Sequence, residues 1–131
     1  MKILFICDGN VARSQEAELF VNSLSDGQHQ ATSAGINPRI GKPIDPLVIQ
    51  VMNEIGYSMN GNVRKLFNEG MASDVDVVVS FVSASELPGF IRNISDVRYW
   101  DVQDPKGESL DFHRKTRDLI KSKVESLLAE I

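Results

Sequence analysis

The run Val75-Asp76-Val77-Val78-Val79-Ser80-Phe81-Val82 constrains the fold more than any other stretch of the chain. A near-continuous β-branched segment of this kind suits a strand in a sheet covered on both faces. Three further segments read as its partners: Ile3-Leu4-Phe5-Ile6, His29 to Ala34 closed by Gly35, and Asp96 to Asp101. Helical spacing separates them. Ala17, Phe20, Val21 and Leu24 form one apolar face, ended by Asp26-Gly27. Leu47, Val48, Val51, Met52 and Ile55 form a second, with Asp45 as N-cap, Pro46 in the first turn and Gly56 as the stop. A last helix starts near Leu110, with a buried stripe of Phe112, Thr116, Leu119, Ile120, Val124, Leu127, Leu128 and Ile131. A short helix is expected within Asn60–Met71, around Val63, Leu66 and Phe67, and another within Ser83–Ile91, broken by Pro88-Gly89. Ile36 to Pro46, with three prolines and Gly41, reads as a surface loop. Strands alternating with helices imply right-handed crossovers and a parallel sheet, hence an α/β fold in one domain over residues 1–131.

In such sheets ligands bind at the carboxyl ends of the strands. The first strand ends in Cys7-Asp8-Gly9-Asn10-Val11-Ala12-Arg13-Ser14, after which a helix begins. A loop between a strand and a helix N-terminus gathers backbone N–H groups and the positive end of a dipole, so it favours an anion. The same surroundings favour a thiolate, and Cys7 is the only cysteine. Arg13 supplies a planar fork for the oxygens of a tetrahedral oxyanion. Gly9 admits close backbone approach, and Asn10 tolerates left-handed backbone. Ser14 can cap the helix or donate to the sulfur. A leaving oxygen needs a proton, and Asp104, fixed by Pro105 just past the last strand, is the candidate donor. The chemistry would be two in-line displacements through a phosphocysteine.

Other residues read more plainly. Asp101 and Asp111 are expected to be solvated, His29 exposed, His113 at the surface or an edge, and Trp100 in the core or a pocket wall. A net charge of −4 argues against a nucleic-acid partner. Two histidines and one cysteine argue against a metal site, and no cofactor is implied. One cysteine allows no intrachain disulfide; with no signal peptide or membrane span in the sequence, a cytoplasmic protein is expected.

These motifs resemble the low-molecular-weight protein tyrosine phosphatases and the related thioredoxin-coupled arsenate reductases. The likeness rests on Cys7 to Ser14 after the first strand, Ala17-Glu18, the Ser33-Ala34-Gly35 turn and Asp104-Pro105 before a long final helix. It implies a three-layer α/β/α fold on a four-stranded parallel sheet. Cys7 would be the nucleophile, Arg13 the oxyanion clamp and Asp104 the general acid, with residues 8–14 (Asp8, Gly9, Asn10, Val11, Ala12, Arg13, Ser14) binding a phosphate or arsenate substrate. A phosphoprotein is one candidate partner.

The branch is argued from departures. Gln15 after Ser14, Trp100, and Lys106-Gly107 after Asp104-Pro105 resemble the reductase branch. The phosphatases usually carry ring-binding aromatics where this chain has Ile36-Asn37-Pro38 and Lys106-Gly107. The thioredoxin-coupled reductases, however, need two more cysteines, and Phe81-Val82-Ser83-Ala84-Ser85-Glu86 supplies none. The leading expectation is therefore a phosphomonoester hydrolase. The alternative is an arsenate reductase resolved by an external thiol or redoxin, and the third reading is a non-catalytic oxyanion or phosphoprotein-binding module. Asp8, beside the nucleophile where the family often has threonine, is expected to point outward.

Overall fold

The computed structural model describes residues 1–131. Its strands are β1 (Lys2–Cys7), β2 (Gln30–Gly35), β3 (Val77–Ser80) and β4 (Val97–Tyr99), all parallel in the order β2-β1-β3-β4. The helices are α1 (Arg13–Leu24), α2 (Pro46–Asn53), α3 (Glu69–Ala72) and α4 (Leu110–Glu130). Two 3₁₀ turns, Ala84–Glu86 and Gly89–Asn93, flank Pro88.

Side-chain alternation along β1 divides the core. Ile3 and Phe5 join Phe20, Val48, Met52, Ile120 and Val124 beneath α1, α2 and α4. Leu4 and Ile6 face the other way, toward Phe67, Ala72, Val78 and Ile91. The sheet is thus sandwiched as the resemblance implies, but unevenly. One face carries three full helices and the other a four-residue helix with 3₁₀ turns.

Helix ends follow local chemistry. Asp45 Oδ1 accepts the Leu47 N–H at 2.9 Å, with Pro46 at the first position of α2. Ser109 Oγ accepts the Phe112 N–H at 3.1 Å and opens α4. A cap of this kind is worth about 1 kcal/mol. The chain leaves α1 through left-handed Asp26 and Gly27, at φ 52° and 80°.

Two sequence expectations fail. Residues 60–67 form no helix. Their backbone runs along the edge of β2, where Gly35 N–H donates to Lys65 O at 2.8 Å and Phe67 N–H donates to Gly35 O at 2.9 Å. Pairing with Gly35 uses the groups a helix would need, so only Glu69–Ala72 coils. On α4, Leu119 is 44% exposed, whereas His113 and Arg117 are buried. No helix is long and apolar enough to cross a membrane.

Candidate active site

The strand order places β1 between β2 and β3, and the chain leaves β1 toward β2 but leaves β3 toward β4. The connections diverge there and open a crevice at the carboxyl ends of the strands. Cys7 ends β1 at that point, buried at 2% exposure.

The loop after Cys7 is held by a polar network that starts at Asn10. Asn10 takes left-handed backbone, φ 51°, and is wholly buried. Its backbone N–H donates to Cys7 Sγ at 3.2 Å. Its Nδ2 donates to Ser14 Oγ at 2.9 Å and to Ser33 Oγ at 3.0 Å. Its Oδ1 accepts from Lys65 N–H at 2.8 Å and from Gln15 Nε2 at 3.1 Å. Ser14 Oγ lies 2.8 Å from Cys7 Sγ. Either atom of this pair can donate, and once Cys7 is a thiolate the hydroxyl is the donor. Ser14 therefore serves the thiol and not the helix end: the N-cap of α1 is Ala12, which makes no side-chain cap. The first N–H groups of α1 stay free for an anion.

Arg13 is 7% exposed and firmly oriented. Its Nη1 donates to Val102 O at 2.9 Å and to Phe81 O at 3.4 Å, so it ties the loop to the ends of β3 and β4. Its guanidinium lies 5.8 Å from the centre of the Phe81 ring, which packs edge-on against Trp100. Arg13 Nη2 stands 3.6 Å from Asp104 Oδ2. Asp104 is half-exposed, and its Oδ1 accepts the Lys106 N–H at 3.1 Å. Residues almost a chain length apart thus meet at one sheet edge.

A cleft of about 490 Å³ opens over the loop. Asp8, Gly9, Val11, Ala12, Arg13 and Asp104 line its inner part; Asn37, Arg39, Lys42, Asp45, Val48, Arg64, Lys106 and His113 line the rest. Asp8 is exposed at this opening and its carboxylate forms no hydrogen bond within the chain. Trp100 belongs to the core wall, its ring centre 5.7 Å from that of Phe5 with the planes inclined by 51°. No group of three or more His, Cys, Asp or Glu is placed to hold a metal ion.

Sequence reasoning missed several residues of the site. Gln15, Ser33 and Lys65 brace Asn10, and Arg39, Lys42, Arg64 and His113 build the cleft. His113 corrects a specific expectation. It is 1% exposed, because it lies three residues before Thr116 and seven before Ile120 on the buried side of α4. His29, expected to be exposed, is half-buried ahead of β2.

The arrangement can bind a tetrahedral oxyanion against a thiol, clamp it with a guanidinium and exchange a proton with a carboxyl group. Known proteins resemble the chain over its full length. The family model described as low molecular weight phosphotyrosine protein phosphatase matches residues 2–131. A glutaredoxin arsenate reductase of Synechocystis sp. is 33% identical over 131 residues, covering 99% of this chain and 98% of its own length. A solved arsenate reductase in its phosphate-binding state superimposes with a TM-score of 0.85 at 34% identity, over 99% of this chain and 98% of that one. A low molecular weight protein tyrosine phosphatase from T. tengcongensis shares the fold, with a TM-score of 0.89 at 24% identity over 100% of this chain and 99% of its own. With the match extending from Lys2 to the last residue, the chain belongs to the low molecular weight phosphotyrosine protein phosphatase family.

Proposed function

We propose that the chain hydrolyses phosphomonoesters through a phosphocysteine at Cys7. The observation that carries this reading is the sufficiency of the site with one thiol: sulfur, guanidinium and carboxyl are arranged together, and no second cysteine exists. The phosphoryl group occupies the loop, its oxygens on backbone N–H groups of residues 8–14 other than that of Asn10, which donates to Cys7 Sγ, and on Arg13. Cys7 Sγ attacks phosphorus, the S–P bond forms and the P–O bond to the leaving group breaks. The leaving oxygen takes the proton of Asp104. In the second step Asp104, now a carboxylate, accepts a proton from water. That water oxygen bonds to phosphorus, and the S–P bond returns its electron pair to sulfur. Inorganic phosphate leaves.

A second reading is favoured by a different observation, the 33–34% identity to arsenate reductases. Reduction of arsenate to arsenite needs two electrons. Cys7 supplies one and an external thiol the other, leaving a mixed disulfide on Cys7 for a further thiol or redoxin to reduce.

One preparation tests both. Hydrolysis of 4-nitrophenyl phosphate and thiol-coupled arsenate reduction are measured for the wild type, Cys7→Ser and Asp104→Asn. We expect hydrolysis to vanish in Cys7→Ser and to fall by roughly 10²–10³ in Asp104→Asn, the usual share of a general acid. Hydrolysis that survives Cys7→Ser overturns the first reading. Arsenite formation without ester hydrolysis selects the second. Oxyanion binding without either turnover leaves a binding module.

A further inference from the structure

We infer that this cleft is built for a substrate with a second negatively charged group, a carboxylate or another phosphate, held by Arg39, Lys42 and Arg64 beside His113. The inference rests on the loop being an oxyanion site and concerns the other end of the molecule bound there.

The first observation is an excess of uncommitted positive charge. Arg39, Lys42 and Lys106 line the cleft and pair with no carboxylate. Arg64 lines it too, and spends its guanidinium on backbone oxygens only, Pro38 O at 3.3 Å and Pro43 O at 2.7 Å. Its buried Nε has no partner within the chain. The cleft acids are mostly engaged. Asp45 accepts from Leu47, and Asp104 accepts from Lys106 and faces Arg13. Asp8 alone is free among them. In a chain of net charge −4, this local excess marks the cleft as a place that draws anions.

The second observation is independent. His113 lines the same cleft at 1% exposure, and neither ring nitrogen has a partner within the chain. A buried imidazole left unpaired costs free energy that a bound polar group recovers. The third is compositional: no Phe, Tyr or Trp lines the cleft. The walls suit a charged leaving group and offer no aromatic surface for a phenyl ring.

Binding of non-hydrolysable probes tests the inference without needing turnover. Methylphosphonate, 3-phosphonopropionate and 3-aminopropylphosphonate are titrated calorimetrically into the wild type and Arg39→Ser/Lys42→Ser. We expect 3-phosphonopropionate to bind at least about tenfold tighter than methylphosphonate, the scale of one or two charge-assisted contacts. In the double variant, whose changes lie on exposed positions, the advantage falls below about twofold, and His113→Leu narrows it as well. Equal affinity of the two acids overturns the inference. So does tighter binding of the amino compound, which would give the tail to Asp8. If no phosphonate binds, the oxyanion reading of the loop itself falls, and the inference falls with it.

Discussion

Glu16 stands out at the residue scale because its burial is so unfavourable. It is wholly buried on α1, and neither carboxylate oxygen has a hydrogen-bond partner within the chain. Burial pushes its pKa up to about 8, and the Arg117 guanidinium only partly opposes that shift. The folded value lies above the unfolded one, so the folded state holds the proton more tightly. The resulting stability is fully present below about pH 4.5 and is lost as pH rises through about 8. At about 1.4 kcal/mol per pH unit between the two values, the loss approaches roughly 4–5 kcal/mol. Denaturant unfolding at about pH 5 and about pH 9 should therefore show the wild type losing stability that Glu16→Gln retains. Parallel pH profiles for the two proteins would rule out a buried, titrating Glu16. Both Glu16 and His113 were legible in principle from periodicity. Glu16 is four residues before Phe20, and His113 is seven before Ile120, each on a buried stripe. Residue type argued for the surface and spacing for the interior, and spacing was right. Cys7, Arg13 and Asp104 stood out as candidates because motif spacing names them directly, and the structure brings them to one sheet edge.

At the scale of elements, the loop after Cys7 is shaped by a neighbour that sequence order conceals. A methyl group on Gly35 would sit 2.7 Å from Asp8 O and 2.9 Å from Asn10 N, both backbone atoms that cannot swing aside. The glycine is thus required by the approach of the β2 end to the loop, where Asn37 N–H also donates to Asp8 O at 2.8 Å. Gly35→Ala should displace the loop and lower kcat/KM by roughly 10²-fold, the effect of misplacing reacting groups by about 1 Å. Alanine at Gly89, which has no left-handed backbone and no atom within 4 Å of the added carbon, is the control for a generic loss of glycine. Unchanged kcat/KM in Gly35→Ala would show that the loop tolerates the intrusion. The same neighbourhood explains the misread segment at 60–67. Val63, Leu66 and Phe67 carry a helical spacing, yet Val63 and Leu66 are 65% and 54% exposed. Lys65 N–H instead braces Asn10 Oδ1, and Val63 O accepts from Gln15. Local periodicity does not register a contact that depends on the segment lying beside β2. Where local signals and the sheet agreed, as at Asp45-Pro46, the start of the helix was readable to the residue, and the last helix starts at Leu110, near which it was expected.

Across the whole molecule, the proposed anion site draws on the carboxyl ends of several strands. Cys7 comes from β1, Arg13 from α1, and the carbonyls of Phe81 and Val102 that orient Arg13 follow β3 and β4. The α1 N-terminus has no side-chain cap, and Arg13 holds an acid only at 3.6 Å. An oxyanion seated there satisfies groups that the folded chain leaves open and the unfolded chain cannot gather. Binding must then raise global stability by mass action. At phosphate about 100 times its dissociation constant the gain is about 2.7 kcal/mol, which for a domain of this size lifts the melting temperature by roughly 8–15 °C. Thermal unfolding in phosphate against chloride of equal ionic strength measures it. Arg13→Ala should abolish most of the difference, because the clamp and the cross-link to the β3 and β4 ends disappear together. A melting temperature indifferent to phosphate would mean that these groups do not converge on a common anion, and the shared edge of the four strands would have to be explained by packing alone.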